Sequence, residues 1–155
     1  MPDSPPAPAV IFDVDGTLVD VSGVRHYVTD DPRRRNFEKF HAAASYCPPI
    51  ESTRVLAGLL HAAGARVFIV TARTERWRYR TSVWLRKWGI EHEALLMRPD
   101  SDGRPDVAVK RDILAAIRVR YGAEPVLAVD DNPAVIALWT EERVPTIVVP
   151  GWDED

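Results

Sequence analysis

With 155 residues and no apolar run of membrane-spanning length, the chain fits one soluble domain large enough to bury a core. Its net charge of −3 supplies no overall field for holding nucleic acid, so any such contact has to be local. The single cysteine, Cys47, excludes an internal disulfide framework and a thiolate zinc cluster. It stands between Tyr46 and Pro48 with no base beside it and reads as a packing residue.

Residues 1–8 are Pro-rich, with neither a basic segment nor an apolar stretch. They read as a disordered tail and not as a signal peptide, which makes a cytoplasmic location the expectation, with one domain over 9–155. A buried strand is predicted over 9–14, and it runs into Asp13-Val14-Asp15-Gly16-Thr17. Alternate residues of a strand share a face. A chain leaving the strand at Asp13 can therefore aim Asp13 and Asp15 at one point beyond the sheet's C-terminal edge, with Gly16 permitting the turn. Two crowded carboxylates repel and call for a cation or a proton between them. That suits a hard divalent ion and acid–base work. Read alone, the motif is a strand end and a turn, but three further pieces follow in order.

The segment 20–50 is irregular, broken by Asp30-Asp31-Pro32 and Pro48-Pro49, with a helix over 35–44 from the spacing of Phe37, Phe40, Ala43 and Ala44. A helix over 53–63, capped by Ser52 or Thr53, presents Leu56, Leu59 and Leu60. A strand over 66–70 leads to Thr71-Ala72-Arg73. The helix over 75–88 puts Trp77, Thr81, Trp84, Leu85 and Trp88 on one side, read as core. Arg76, Arg80 and Lys87 fall on another side, as a solvated face or a phosphate track. A strand over 94–97, a polar loop over 98–106 and a helix over 107–121 carrying Lys110 come next. A strand over 126–129 ends in Asp130-Asp131-Asn132-Pro133, before a helix over 134–139 and a strand over 144–149. The alternation predicts an α/β fold, a doubly wound parallel five-stranded sheet with its site at the carboxyl edge. His26, His41, His61 and His92 lack metal-ligand spacing and receive no role.

The pieces are Asp13 and Asp15, then Thr71, then Lys110, then Asp130 and Asp131. Singly, Thr71 is a helix cap, Lys110 a solvated side chain and Asp130-Asp131 a turn. Jointly they resemble the four motifs of the haloacid dehalogenase (HAD) phosphatase superfamily. That resemblance implies a HAD-like Rossmannoid fold, Asp13 as nucleophile and Asp15 as acid and then base. It also implies Thr71 and Lys110 on the phosphate, and Mg²⁺ held by Asp13, the carbonyl of Asp15, and Asp130 and Asp131. The 22–50 segment is too short for a large cap domain, which leaves an open site suited to bulky substrates.

Finer wording is similar to the 3′-phosphatase domain of bacteriophage polynucleotide kinase-phosphatase. The matching stretches are Thr71-Ala72-Arg73 in place of Ser-Gly-Arg, Tyr79-Arg80-Thr81-Ser82-Val83-Trp84-Leu85, Leu96-Met97-Arg98, and Asp102-Gly103-Arg104-Pro105-Asp106-Val107-Ala108-Val109-Lys110. The Asp130 to Val135 run with Trp139 and the ending Val149-Pro150-Gly151-Trp152-Asp153 also match. This resemblance implies removal of a 3′-phosphate from RNA or DNA ends, with 2′,3′-cyclic phosphate as a further candidate. By position it implies Arg73 and Thr17 near the substrate phosphate and Asp106 bracing Lys110. Arg25 matches with one extra residue of spacing from Asp15. No G-x-x-x-x-G-K-[ST] loop occurs, so a phosphatase without 5′-kinase activity is expected. A small-molecule phosphatase and a catalytically silent end-binding module are the competing readings. RNA or DNA preference and oligomeric state stay open.

Overall fold

The computed structural model describes residues 5–29 and 31–151. Residues 1–4 of the expected tail, Asp30, and Trp152 and Asp153 of the matching ending lie outside the described residues. Five strands, β1 (Ala9–Phe12), β2 (Arg66–Thr74), β3 (Ala94–Arg98), β4 (Pro125–Asp130) and β5 (Thr146–Val148), form one sheet in the order β3-β2-β1-β4-β5. Every pairing is parallel, as the strand–helix alternation predicts.

The sheet is covered on both faces because all of β1 and the Val67–Val70 run of β2 are apolar and buried whichever face they point to. Val10 and Phe12 of β1, with Val67 and Ile69 of β2, face one core. That core also holds Phe40 and Ala44 of α2 (Phe37–Ala44), Ala57 of α3 (Glu51–Ala62), and Trp84 and Leu85 of α4 (Arg78–Lys87). Ile11 and Phe68 face the other core, with Ile113, Leu114 and Ile117 of α5 (Asp106–Arg120) and Leu138 and Trp139 of α6 (Pro133–Glu141). Phe12 and Trp139 are fully buried. Truncating either to alanine is expected to cost about 3–5 kcal/mol.

Several helix faces differ from the sequence pattern. In α3 the buried residues are Thr53 and Ala57, while Leu59 is exposed. Neither Ser52 nor Thr53 caps α3, whose N-cap is Ile50 without a side-chain bond. Thr53 instead donates to the carbonyls of Ile50 and Thr17, which ties α3 to the loop after β1. In α2, Asn36 is the cap, accepting from the Lys39 amide, and Phe37 points out of the core. Cys47 is half-buried, as a packing residue should be, and burial pushes its thiol pKa up.

No inserted domain separates β1 from β2 among the described residues. The intervening chain holds only the short helix α1 (His26–Thr29), a 3₁₀ turn (Pro32–Arg34), α2 and α3. Among the described residues, no helix is long and apolar enough to cross a membrane.

Candidate active site

Strand order places the site. β1 is central, with β2 on one side and β4 on the other, so their connections leave in opposite directions. A crevice at the carboxyl edge follows from that switch. Register then brings the polar residues together. Phe12 is paired with Ile69 on one side and Val129 on the other, so the next residue of each strand emerges at the same rim. The Asp13 amide still bonds the Val129 carbonyl at 3.1 Å, which fixes Asp13 beside Asp130.

The chain next wraps around the carbonyl of Val14, which accepts from the amides of Thr17, Leu18 and Val19. Gly16 makes the turn at φ +80°. A Cβ on Gly16 would lie 2.1 Å from Asp131 Oδ2, so glycine is required both by φ and by the approach of that carboxylate. G16A is therefore expected to lower turnover by about 10²-fold, the cost of displacing a reacting group by about 1 Å. G103A, at a position with open space around it, should leave phosphate release unchanged.

Lys110 lies on the inward face of α5, 2% exposed, instead of in solvent. Its ammonium reaches Asp13 Oδ1 at 2.8 Å and Asp130 Oδ2 at 3.0 Å. Asp130 is fully buried, and Oδ1 also accepts from the amides of Asp131 and Asn132. Trp139 Nε1 donates to its Oδ2 at 3.3 Å. The Thr17 hydroxyl sits between Asp13 Oδ2, 3.2 Å away, and Asp131 Oδ1, 3.0 Å away. It has one proton and donates to one of them at a time.

Oxygens of Asp13, Asp130 and Asp131 lie within 4.8 Å of one another, all three residues buried. With these carboxylates ionised and Lys110 the cation bonded to them, the cluster carries two surplus negative charges. Burial drives the Asp13 carboxyl well above the usual carboxylate range; Lys110 opposes this, and Asp130 and Asp131 reinforce it. Burial also works against the charge of Lys110, but Asp13 and Asp130 overcome it and keep the ammonium protonated. An all-oxygen, carboxylate-rich cluster with unbalanced charge fits a hard divalent cation such as Mg²⁺.

The second aspartate has a different environment. Burial works against its ionisation, but Arg73 overrides it and holds Asp15 below the usual carboxylate value. Arg73 Nε and Nη2 clamp the two Asp15 oxygens at 2.9 and 2.6 Å, and Nη1 reaches Thr81 Oγ1 at 2.9 Å. Arg73 is 2% exposed and Thr71 is 1% exposed. The Thr71 hydroxyl accepts from the Arg73 amide at 3.1 Å, so its proton remains available for donation. The Thr71-Ala72-Arg73 run belongs to β2 itself, where the ladder with β3 shifts register between Val70 and Thr74.

Asp106 does not brace Lys110 directly. It pairs with Arg98 at 2.6 Å, and Arg98 also holds the carbonyls of Ala72, Asp102 and Arg104. Arg104 in turn pairs with Asp102 and Asp112. Residues 98–106 thus form a hydrogen-bonded loop that sets the start of α5. Arg25 bonds the carbonyl of Gly151, joining the segment after β5 to the segment after β1. On the basic side, Arg76 pairs with Glu38, while Arg80 lies over the Trp77 ring and Lys87 over Trp88.

Two contacts were not foreseen: the resemblance included Trp139 without giving it a role, and His41 lies in no motif. Trp139 reaches Asp130 from α6. His41 brings Nδ1 to 3.9 Å from Asp15 Oδ2, so the segment too short for a cap domain still leans on the site. Burial lowers the His41 pKa to about 4, with the Asp15 charge only partly opposing it.

A family model for the phosphatase domain of polynucleotide kinase PNKP, within the HAD group, matches residues 7–151. The chain belongs to this family. The PNKP phosphatase match covers β1 to β5 and every candidate residue above. Among solved structures, the Pnkp1/Rnl/Hen1 complex aligns with TM-score 0.77 and 24% identity over 97% of this chain and 49% of that one. This chain spans about half the length of that relative. The class C acid phosphatase from Bacillus anthracis aligns at TM-score 0.66 and 15% identity, over 93% of this chain and 66% of that one. A hydrolase from Streptococcus pneumoniae TIGR4 aligns at 0.62 and 16%, covering 94% of both chains. These likenesses show the fold. Comparison with curated proteins finds no match. Membership of this HAD phosphatase family supports a phosphoric monoester hydrolase as the reaction class.

Proposed function

We propose that this domain removes the 3′-phosphate from nucleic-acid ends through a phosphorylated Asp13. The observation that carries the reading is the convergence of Asp13, Lys110, Asp130 and Asp131 within a chain that matches the PNKP phosphatase family from 7 to 151. A structural relative, described as an RNA repair complex, supports polynucleotide ends as the substrate class.

In the first step an Asp13 oxygen attacks phosphorus, the bond to O3′ breaks, and Asp15 delivers its proton to O3′. In the second, Asp15 takes a proton from water, whose oxygen attacks phosphorus, and the bond to Asp13 breaks. The bidentate Arg73 clamp favours the ionised Asp15 of the second step. For the first, Arg73 turns toward the incoming phosphate, which frees the Asp15 carboxyl to carry its proton. Thr71, Thr17 and Lys110 hold the transferred oxygens, and Arg25 contacts the strand beyond them. Asp106 acts at a distance, through Arg98 and the start of α5. Mg²⁺ held by Asp13, the Asp15 carbonyl, Asp130 and Asp131 would supply charge neutralisation during transfer.

The test is phosphate release, with Mg²⁺, from an oligonucleotide 3′-phosphate, the matching 2′,3′-cyclic end, a 5′-phosphate, free 3′-mononucleotides and sugar phosphates. The 3′-phosphorylated oligonucleotide is expected to give the highest kcat/KM. Preference for a free mononucleotide or sugar phosphate contradicts the proposal and favours a small-molecule phosphatase.

A further inference from the structure

We infer that His41 reads the ribose 2′-hydroxyl of the terminal nucleotide, which makes RNA ends preferred over DNA ends. The inference rests on the 3′-phosphatase reading. His41 Nδ1 is a buried side-chain nitrogen with no hydrogen-bond partner among the described residues. Buried polar atoms are almost always paired, so an orphan beside a catalytic carboxylate points to a ligand atom. Asp15 Oδ2 lies 3.9 Å from it, too far for a hydrogen bond.

Position supplies the partner. On the 3′-phosphatase reading Asp15 protonates the leaving O3′, so the terminal sugar comes within reach of the groups around that carboxylate, His41 among them. In ribose, the 2′-hydroxyl is on the carbon next to O3′ and on the same face of the ring. A ring nitrogen 3.9 Å from the O3′ proton donor is then the polar group assigned to the 2′-oxygen, reached when the incoming sugar opens the covering of Nδ1. In a deoxynucleotide nothing polar occupies that place, and Nδ1 stays unpaired.

The ring is held for this task. Phe40 packs edge-on at 5.3 Å between centroids, Trp77 lies at 5.6 Å and Phe37 at 6.5 Å. α2 fixes the backbone through the Asn36 cap. These contacts orient the imidazole but give Nδ1 no bond. A hydroxyl can donate to that nitrogen or accept from it, so either neutral tautomer serves.

The experiment compares two oligonucleotides that differ only in the terminal sugar, a ribonucleotide 3′-phosphate and a 2′-deoxyribonucleotide 3′-phosphate. Wild type is expected to prefer the ribose end about tenfold in kcat/KM, the effect of one neutral hydrogen bond. H41F keeps an aromatic ring among Phe40 and Trp77 but has no nitrogen. It should lose about tenfold on the ribose end and stay within about twofold of wild type on the deoxy end. H41N, which restores a polar atom close to the Nδ1 position, should recover part of the preference, and it stands in for H41F if that variant does not fold. Equal loss on both ends makes His41 a support for Asp15 alone and overturns the inference. Equal wild-type rates on the two ends also overturn it. Hydrolysis of neither oligonucleotide, with p-nitrophenyl phosphate still turned over, overturns the 3′-phosphatase reading itself.

Discussion

D13N is expected to abolish phosphate release, by on the order of 10³-fold or more, while the protein folds as before. Asparagine keeps the shape and the hydrogen-bonding reach of Asp13 but has no carboxylate to attack phosphorus. Folding should not suffer, because Lys110 keeps its bond to Asp130 when Asp13 is neutral. The charge count goes further. Removing one of three clustered carboxylates lowers the surplus negative charge, so D13N in chelator should melt at or above the wild-type temperature. It should also show a smaller rise in Tm when Mg²⁺ is added, since a ligand stabilises only the form that binds it. Thermal melts with EDTA and with Mg²⁺, beside a phosphate-release assay, check both halves. Near-wild-type turnover in D13N removes the nucleophile assignment, and a collapsed fold removes the charge argument.

K110M carries the second large effect. Lys110 is buried between Asp13 and Asp130, and methionine replaces its length without its charge. The carboxylates then face one another with no ammonium among them. Breaking a buried pair on one side costs about 3–5 kcal/mol. For a domain of this size that is a drop in Tm of roughly 10 °C or more. Mg²⁺ should restore part of it by supplying the missing positive charge. Turnover should remain down by about 10²–10³-fold even in the refolded, metal-loaded variant, because a donor to the transferred phosphate is gone. Melting curves and rates at saturating Mg²⁺ separate the two roles. If K110M melts like wild type in chelator, the ammonium is not balancing the cluster.

Much of this was legible from the chain because the chemistry sits on strand ends. β1, β2 and β4 are apolar runs that stop at Asp13, Thr71 and Asp130, and parallel register does the rest of the assembly. Lys110 was legible as part of a motif but not as buried. Its place on the inner face of α5, beside Ile113 and Leu114, emerges only once Asp13 and Asp130 are near enough to offset its desolvation. The polar loop over 98–106 concealed an organised network, since Arg98 bonds two carbonyls and a carboxylate of its own loop and the Ala72 carbonyl of β2, a pattern with no periodic signature.

His41 was the least legible residue. It lies in a segment with no motif, on a helix whose apolar spacing suggested packing alone. Phe37, expected inside, stays out and flanks the imidazole instead. Leu59 of α3 misled in the same way, because the small residues Thr53 and Ala57 allow a closer approach to the sheet than a leucine face would. In both helices the spacing predicted a helix correctly, and neighbours absent from the local sequence chose which side was buried.

The most direct measurement is a crystal structure of the protein with Mg²⁺ and beryllium trifluoride, a group that binds a carboxylate oxygen in the shape of an acyl phosphate. The adduct is predicted on an Asp13 oxygen, with Lys110 and Thr71 on the fluorides and the metal against Asp13 and Asp131. An adduct on Asp15, or a metal seated away from Asp13, Asp130 and Asp131, contradicts the account.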